Sequence, residues 1–387
     1  MSMKRYDCAI VGAGPGGGAA AIAAADAGLC CLLLEARRTP GERTACGGGL
    51  AIGTARELEL PASVAEQQLA AMAFHFRGAP DTSRVWESWR PIGVTVDRRR
   101  FDSHLAGRAQ ALGAEVVTEA RVTGVDRDTG VVEYRQGGAV RRIAASFVVF
   151  ADGATTLAPR MGDLGFISRP DNTIGAIAWE YEAPGHGYRR FDCYYDKVTV
   201  PWGYYWIFPR ADVLNIGVGI VLDAVRGGAK GGGAGLPSLL ARFTDSIPAI
   251  QGRHPTRRLG GLVPLEPAAR VADGRLLAVG DAAGLVNPIT GGGIHHAIYS
   301  GRLAGEAVAH AWKRGSSKTP YGRWLMRSPS YRWLSLLASV TAYGHRSWPG
   351  TAFVRLTRAL TTFAETVDKI DRPISRFLNW RAASKWQ

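Results

Sequence analysis

Residues 6–35, YDCAIVGAGPGGGAAAIAAADAGLCCLLLE, decide how this chain folds. Residues 6–11 are an apolar run with the length and branching of a buried parallel strand. Gly12, Ala13, Gly14, Pro15, Gly16 and Gly17 follow at once, and the alanine-rich residues 18–27 have the propensity of a helix. A second apolar run, 29–34, ends in Glu35. The order is strand, glycine turn, helix, strand, acid, and the spacing has a mechanism. Gly12 makes the tight turn, Gly14 lets backbone N–H groups approach a pyrophosphate at the helix N-terminus, and Gly17 permits close helix–strand packing. Glu35, 18 residues beyond Gly17, is placed to accept hydrogen bonds from a ribose hydroxyl. The stretch predicts a dinucleotide site; a merely flexible glycine turn would leave Glu35 without a role.

The 387 residues can bury a sizeable core and suit two intimately joined domains. With 46% hydrophobic and 21% charged residues, the composition is that of a globular protein, and no apolar run approaches the ~18 residues that span a bilayer. The chain enters its first strand within a few residues, so no leader peptide is expected. Cys8, Cys30, Cys31, Cys46 and Cys193 show no metal-type spacing, and an odd count with three in apolar runs argues against a disulfide framework. A reducing cytoplasm is the natural setting, and no metal is expected.

The net charge of +14 is unevenly spread. Residues 321–387 hold 11 Lys and Arg against Glu365, Asp368 and Asp371, together with Trp324, Trp333, Trp348, Trp380 and Trp386. Basic residues interleaved with aromatics suit an anionic membrane surface, which would place the protein peripherally on the inner membrane face. The plain alternative is a solvated arginine-rich surface. Nucleic acid is not expected, because no binding motif accompanies the charge.

Beyond Glu35, residues 36–45 read as a polar loop, and Cys46-Gly47-Gly48-Gly49 follows. Three consecutive glycines strip the backbone of side chains, so something must pack directly against it. Residues 70–76 and 85–96 read as strands interrupted by polar turns, and 98–112 has the apolar period of a helix ended by Gly113. Residues 115–118 start a strand; 122–125, 131–134 and Ile143 suggest a small antiparallel ribbon, and 147–151 a buried strand ending at Asp152-Gly153. From 173 to 220 the pattern is period-two and aromatic, the signature of a sheet with one face walling a pocket. Residues 226–235 are a glycine-rich loop, and 236–243 a short helix. Residues 259–265 return towards the first domain, and 275–279 form a strand running into Gly280-Asp281. Gly291-Gly292-Gly293 then opens a long helix from Ile294 to about Trp312, after which helices are broken by Pro329, Pro349 and Pro373.

Four stretches together resemble the geranylgeranyl reductase family of flavoproteins, within the larger group that shares the para-hydroxybenzoate hydroxylase fold. They are GAGPGG with Glu35, the CGGG at 46–49, PWGYYWIFP at 201–209 and VGDAAGLVNPITGGGI at 279–294; Arg98-x-x-Phe101-Asp102 and the Asp152-Gly153 turn match as well. The resemblance is collinear from Tyr6 to about Ala309 and fades beyond Tyr321.

The resemblance implies non-covalent, extended FAD held by Gly12, Ala13, Gly14, Pro15, Gly16, Gly17, Glu35, Ala36, Arg98, Val122, Gly280, Asp281, Gly292, Gly293 and Ile294. Asp281 would meet the ribityl and pyrophosphate part, where a carboxylate needs hydroxyl donors to offset phosphate repulsion. The helix N-terminus at 291–293 would lie under the flavin, where its partial positive charge stabilises the anionic reduced form. Arg98 can pair with the phosphates, with Arg99 and Arg100 more at the surface, and the sequence leaves open which of the three reaches in. The resemblance also implies that the Cys46 thiol donates a proton to one alkene carbon while hydride reaches the other. Simple space-filling by a small residue is the alternative, and Ala45 stands where many relatives have Pro. Tyr204, Trp206 and Phe208 alternate along one strand; in the resembling reductases this stripe lines a prenyl tunnel, and otherwise it is core packing. It also loosely resembles the WxWxIP of flavin halogenases, but the lysine those enzymes need is absent from residues 37–90. His295 and His296 read as packing or capping residues.

The expected fold is α/β. A discontinuous Rossmann-like FAD domain comprises residues 1–70, 97–165 and 265–320, and an antiparallel substrate sheet 71–96 and 166–264. A helical basic segment follows at 321–387. The expected activity is FAD-dependent saturation of C=C bonds in a polyprenyl substrate, an isoprenoid or prenyl lipid. An FAD monooxygenase or halogenase acting on a specialised metabolite is the alternative, and a flavin-binding or membrane-docking protein without redox activity a third. A second Rossmann domain is missing from the pattern, which leaves NADPH and an electron-donor protein such as ferredoxin both open.

Overall fold

The computed structural model describes residues 3–77, 82–88, 90–196, 198–226 and 235–347. Residues 227–234 of the glycine-rich loop, and Trp348, Pro349, Pro373, Trp380 and Trp386 of the basic segment, lie outside the described residues.

Parallel strands Leu276–Ala278, Ala139–Phe150, Arg5–Val11, Cys31–Leu34 and Glu115–Val117 lie side by side in that order, with short Ala272–Asp273 antiparallel at one edge. Their centre is apolar on both faces (Ile10, Leu33, Val148 and Val149 are fully buried), as a helix-covered parallel sheet requires. The helix Pro15–Asp26 begins at Pro15 rather than at Gly18, because proline pre-sets the first helical φ. It crosses Ile294–Lys313 backbone to backbone. A Cβ on Gly305 would stand 2.6 Å from the Ala20 carbonyl oxygen, and one on Gly301 would overlap that of Gly16.

The expected ribbon and buried strand prove continuous. Ala139–Phe150 is one strand of 12 residues whose first half pairs antiparallel with Val131–Gln136 and whose second half runs parallel to Arg5–Val11. Its exposed arginines, Arg141 and Arg142, hid that continuity.

A second sheet has the order Arg257–Pro264, Thr173–Glu182, Val213–Val221, Gly203–Arg210, Phe191–Asp196, Ala71–Arg77, Thr82–Glu87. Neighbours are antiparallel except Phe191–Asp196 with Ala71–Arg77. Arg257–Pro264 is thus an edge strand of this sheet, not yet a return to the first. Residues 85–96 are interrupted, as the polar turns predict, and divide between two sheets. The chain breaks near Pro91, and Gly93–Thr95 joins a three-stranded sheet with Gly49–Ala51 and Gln67–Leu69. Proline offers no N–H to continue a ladder. One face of the aromatic sheet buries Tyr205, Ile207, Ile216, Val218 and Ile220 beneath the helix Leu236–Asp245, where Phe243 stacks on Tyr205 at 4.5 Å. The other face carries Tyr204, Trp206 and Phe208.

The chain continues into helices Tyr321–Arg327 and Pro329–Ser347, broken from each other at Ser328 as the sequence predicts, with Pro329 opening the second. Among the described residues no helix is long and apolar enough to cross a membrane.

Candidate active site

The glycine turn at the end of Arg5–Val11 is shaped by what touches it. Gly12 has φ +97°, and a Cβ there would meet the Ala151 carbonyl oxygen at 2.6 Å; a Cβ on Gly17 would collide with the Gly12 carbonyl. Gly16 packs on Val279 and Ala297. No side chain caps the helix at Gly14, so its first N–H groups are open to an anion. Ala13 is buried and donates its N–H to Glu35 Oε2 (2.9 Å), while Glu35 Oε1 accepts from the Arg37 N–H (2.8 Å). Each carboxylate oxygen keeps a lone pair for a further donor. Ala36 is half-buried beside it. The Ala120 N–H donates to the Glu35 carbonyl (2.8 Å), which brings the strand Arg121–Val125 to this end. The Val122 side chain is in the core, so only its backbone can face a ligand here.

At the other end, Gly280–Ala283 is a short turn of 3-10 helix after the strand Leu276–Ala278. Burial pushes the Asp281 carboxyl up to about 6, with Arg98 acting in the opposite sense. No donor among the described residues hydrogen-bonds that carboxylate. Gly291 has φ +68°, and Gly293 caps the helix Ile294–Lys313 with no side-chain bond, leaving a second helix N-terminus open. Gly292 is exposed and Ile294 half-buried. His295, exposed, and half-buried His296 hydrogen-bond Thr54 (2.9 Å) and Ser330 (3.3 Å).

Cys46 lies between these ends. Its sulfur accepts from the Gly48 N–H at 3.3 Å. The glycines beside it are there because aromatic rings lie on their backbone. A Cβ on Gly47 would run into Phe208 and stand 3.2 Å from Trp206 Nε1, and one on Gly49 would stand 3.2 Å from both Phe191 and Phe208. Arg98, 12% exposed, forks onto Asp102 through Nε (2.9 Å) and Nη2 (2.8 Å). Burial alone would favour a neutral guanidine; Asp102 outweighs it and holds Arg98 firmly charged. Its Nη2 lies 4.0 Å from where a Cβ on Gly14 would stand, so this side chain borders the cradle. Arg99 and Arg100 point outward, to Asp97 and Glu66.

Tyr204, Trp206 and Phe208 form a wall over small residues. The Trp206 indole covers Gly217, and Ala176, Ala178 and Ala45 pack around it. The Tyr204 hydroxyl donates to the Thr290 carbonyl, tying the wall to the loop before Gly291.

Behind the wall is a buried polar network that sequence reasoning missed. Asn215, 1% exposed, donates to the Cys46 carbonyl (3.1 Å) and to Glu180 Oε1 (3.1 Å), and accepts from Trp206 Nε1 (2.8 Å). Arg210 then bridges Glu180 (2.9 Å) and Asp97 (3.1 Å), and Arg257 does so at 3.0 and 3.4 Å. Asp97 caps the helix Arg98–Ala111, so the network ties the aromatic sheet to that helix. Its outer edge lines a polar cavity of about 560 Å³ with Glu66, Arg99, Glu182 and Asp212. The available signal was an Asn and a Glu interrupting otherwise apolar and aromatic strands.

Two uncapped helix N-termini, a turn that admits no Cβ at Gly12 or Gly17 and a carboxylate without donors among the described residues fit an extended dinucleotide whose hydroxyls supply the missing hydrogen bonds. Comparison with known proteins agrees. The profile of FAD dependent oxidoreductases matches residues 7–163. Digeranylgeranylglycerophospholipid reductase of Thermoplasma acidophilum is 30% identical over 319 residues, covering 80% of this chain and 79% of that one. The crystal structure of a geranylgeranyl bacteriochlorophyll reductase-like protein from the same organism superposes with a TM-score of 0.79 at 25% identity, over 92% of this chain and 91% of that one. The flavin-dependent brominase Bmp2 shares the fold at 19% identity (TM-score 0.66, 96% of this chain and 100% of that one). With its cradle, thiol and aromatic wall in this arrangement, the chain belongs to the geranylgeranyl reductase family of FAD-dependent oxidoreductases.

Proposed function

We propose that this enzyme saturates C=C bonds of a polyprenyl chain, a geranylgeranyl-type lipid or related isoprenoid. The observation that carries the reading is a thiol held between a dinucleotide cradle and an aromatic, apolar wall. FAD, when bound and reduced, supplies the hydride. The cradle of Gly12, Gly14, Gly16 and Gly17 takes the pyrophosphate with Glu35 on the adenosine ribose, and Asp281 accepts from ribityl hydroxyls. Gly292, Gly293 and Ile294 present their helix N-terminus to the ring. Tyr204, Trp206 and Phe208 exclude water and align the prenyl chain. Cys46 holds a proton at Sγ and gives it to the second alkene carbon, because an unactivated alkene needs both hydrogens delivered almost together. Electrons arrive from NADPH or a donor protein.

The basic C-terminal region would rest on anionic lipid, letting a prenyl lipid enter without crossing water. On the helix Pro329–Ser347, exposed Trp333 and Leu336 sit beside exposed Arg332, with Arg327 and Met326 nearby. Each basic residue near such a surface contributes on the order of 1 kcal/mol. Sedimentation with anionic liposomes at low salt and release at high salt are expected; indifference at low salt refutes docking.

Anaerobic incubation of dithionite-reduced enzyme with geranylgeranyl substrates tests the activity. Saturated product supports the reading, and untouched substrate from a flavin-loaded enzyme favours a monooxygenase or halogenase. Cys46→Ala should keep FAD and lose at least about 100-fold in turnover, the usual worth of a positioned acid. Unchanged turnover would return Cys46 to packing.

A further inference from the structure

We propose that Asn215 is a positioning residue for the proton transfer: its amide ties the Cys46 backbone to the Trp206 indole, so the wall that holds the prenyl chain also fixes the thiol. The inference rests on the reading of Cys46 as proton donor. In that step the S–H bond breaks with its electron pair kept on sulfur, and the proton forms the new C–H bond beside the one made by hydride. The thiolate then regains a proton from water. Thiol and alkene carbon must meet in register, because a misplacement of about 1 Å can cost about 100-fold in rate.

Asn215 stands in the otherwise apolar strand Val213–Val221 and is 1% exposed. An amide buried there costs free energy unless its groups are hydrogen-bonded. Its Nδ2 donates to the Cys46 carbonyl (3.1 Å) and to Glu180 Oε1 (3.1 Å), and its Oδ1 accepts from Trp206 Nε1 (2.8 Å). These partners fix which way the amide faces. A carbonyl and a carboxylate only accept and an indole N–H only donates, so a flipped amide would lose all three bonds. Glu180 and Phe208 are the cross-strand neighbours of Asn215, and Trp206 lies opposite Gly217. A Cβ on Gly217 would stand 2.1 Å from the Trp206 ring, so the bare backbone there lets the indole reach the amide. Arg210 Nη2 (2.9 Å) and Arg257 Nη1 (3.0 Å) hold Glu180 in turn. Through Gly47, the Phe208 ring sets how closely the 46–49 loop approaches the sheet, and the amide sets where along the sheet it sits. That loop runs on through three glycines and has little stiffness of its own. The Gly48 N–H holds the sulfur at 3.3 Å, so this bond and the grip on the carbonyl place Sγ together.

Anaerobic kinetics of the reduced, FAD-loaded enzyme with a geranylgeranyl substrate test this. Asn215→Leu, which fills the space and gives no N–H, should lower kcat about 100-fold with a much smaller change in KM and unchanged flavin absorbance. Asn215→Asp, the same size and a carboxylate at neutral pH, should lose kcat alike, and it decides the matter if the Leu variant does not fold. In a Cys46→Ala background both substitutions should alter the residual rate by less than about threefold, since a residue acting through the thiol has nothing left to place. Damage to the fold would slow both backgrounds equally. Hydrogen–deuterium exchange of a peptide spanning residues 44–50 reads the grip without turnover, and both variants should speed it while the rest of the chain is unchanged. Losses that add across the two backgrounds, or a kcat within about threefold of wild type in the folded variants, overturn the inference. A flavin-loaded wild type that leaves prenyl substrates untouched would instead sink the functional reading. Faster exchange in both variants would then leave the hold on the Cys46 loop standing, and unchanged exchange would overturn that too.

Discussion

In the dinucleotide half, close approach is achieved by leaving side chains out. Gly12, Gly17, Gly301 and Gly305 let backbone lie on backbone, and ligand-facing N–H groups come from helix ends that nothing caps. In the aromatic half, the same loop of Cys46 is held by side chains: rings lie on Gly47 and Gly49, and Asn215, Glu180, Arg210, Arg257 and Asp97 tie down the backbone from behind. The first design fixes shape and fails when atoms are added. The second fixes position through charge and fails when atoms are removed.

That contrast predicts which substitutions each half tolerates. The largest effect should come from Gly17→Ala. Its methyl group would overlap the Gly12 carbonyl, so the helix must shift off the strand and take the cradle with it. Loss of FAD absorbance together with several kcal/mol of stability is expected, beyond the usual 1–3 kcal/mol of core overpacking. A yellow, stable Gly17→Ala protein would break the account of the dinucleotide half.

Arg210→Met should come next. It strands Glu180 and Asp97, both nearly fully buried, at a cost of about 3 kcal/mol; this is the low end for a broken buried pair because Arg257 still reaches both. Urea unfolding measures the loss, and FAD should still bind. If FAD is lost first, the two halves are less separable than the contrast requires.

The smallest effect is a pH dependence at Asp281. Its folded carboxyl titrates at about 6, above the ordinary carboxylate range. For a raised carboxyl, stability of the FAD-free protein is fully present below pH ~4 and is lost as pH rises through ~6. FAD binding should move the other way, tightening over the same window as the carboxylate becomes an acceptor for hydroxyls. Thermal melts of the FAD-free protein and FAD titrations between pH 4 and 7 check both signs, and Asp281→Asn should flatten both.

The sequence by itself determined the dinucleotide half. Backbone contact without side chains can be made only with glycine, so the requirement is written at fixed intervals, and strand, turn, helix and acid are contiguous in residues 6–35. It also determined that one aromatic face exists, since alternation in 203–210 follows directly from the pleat. What it could not determine is everything that depends on distant segments meeting. The ring that lies on Gly47 is more than 150 residues away, and the acids, amide and guanidinia behind Cys46 come from separate strands whose register only the packed sheet settles. Single polar residues in apolar strands carry no address for their partners. Even the buried pair of Arg98 and Asp102 arises because one arginine of three turns inward beside the helix cap at Asp97 while its neighbours face water, a choice made by tertiary packing.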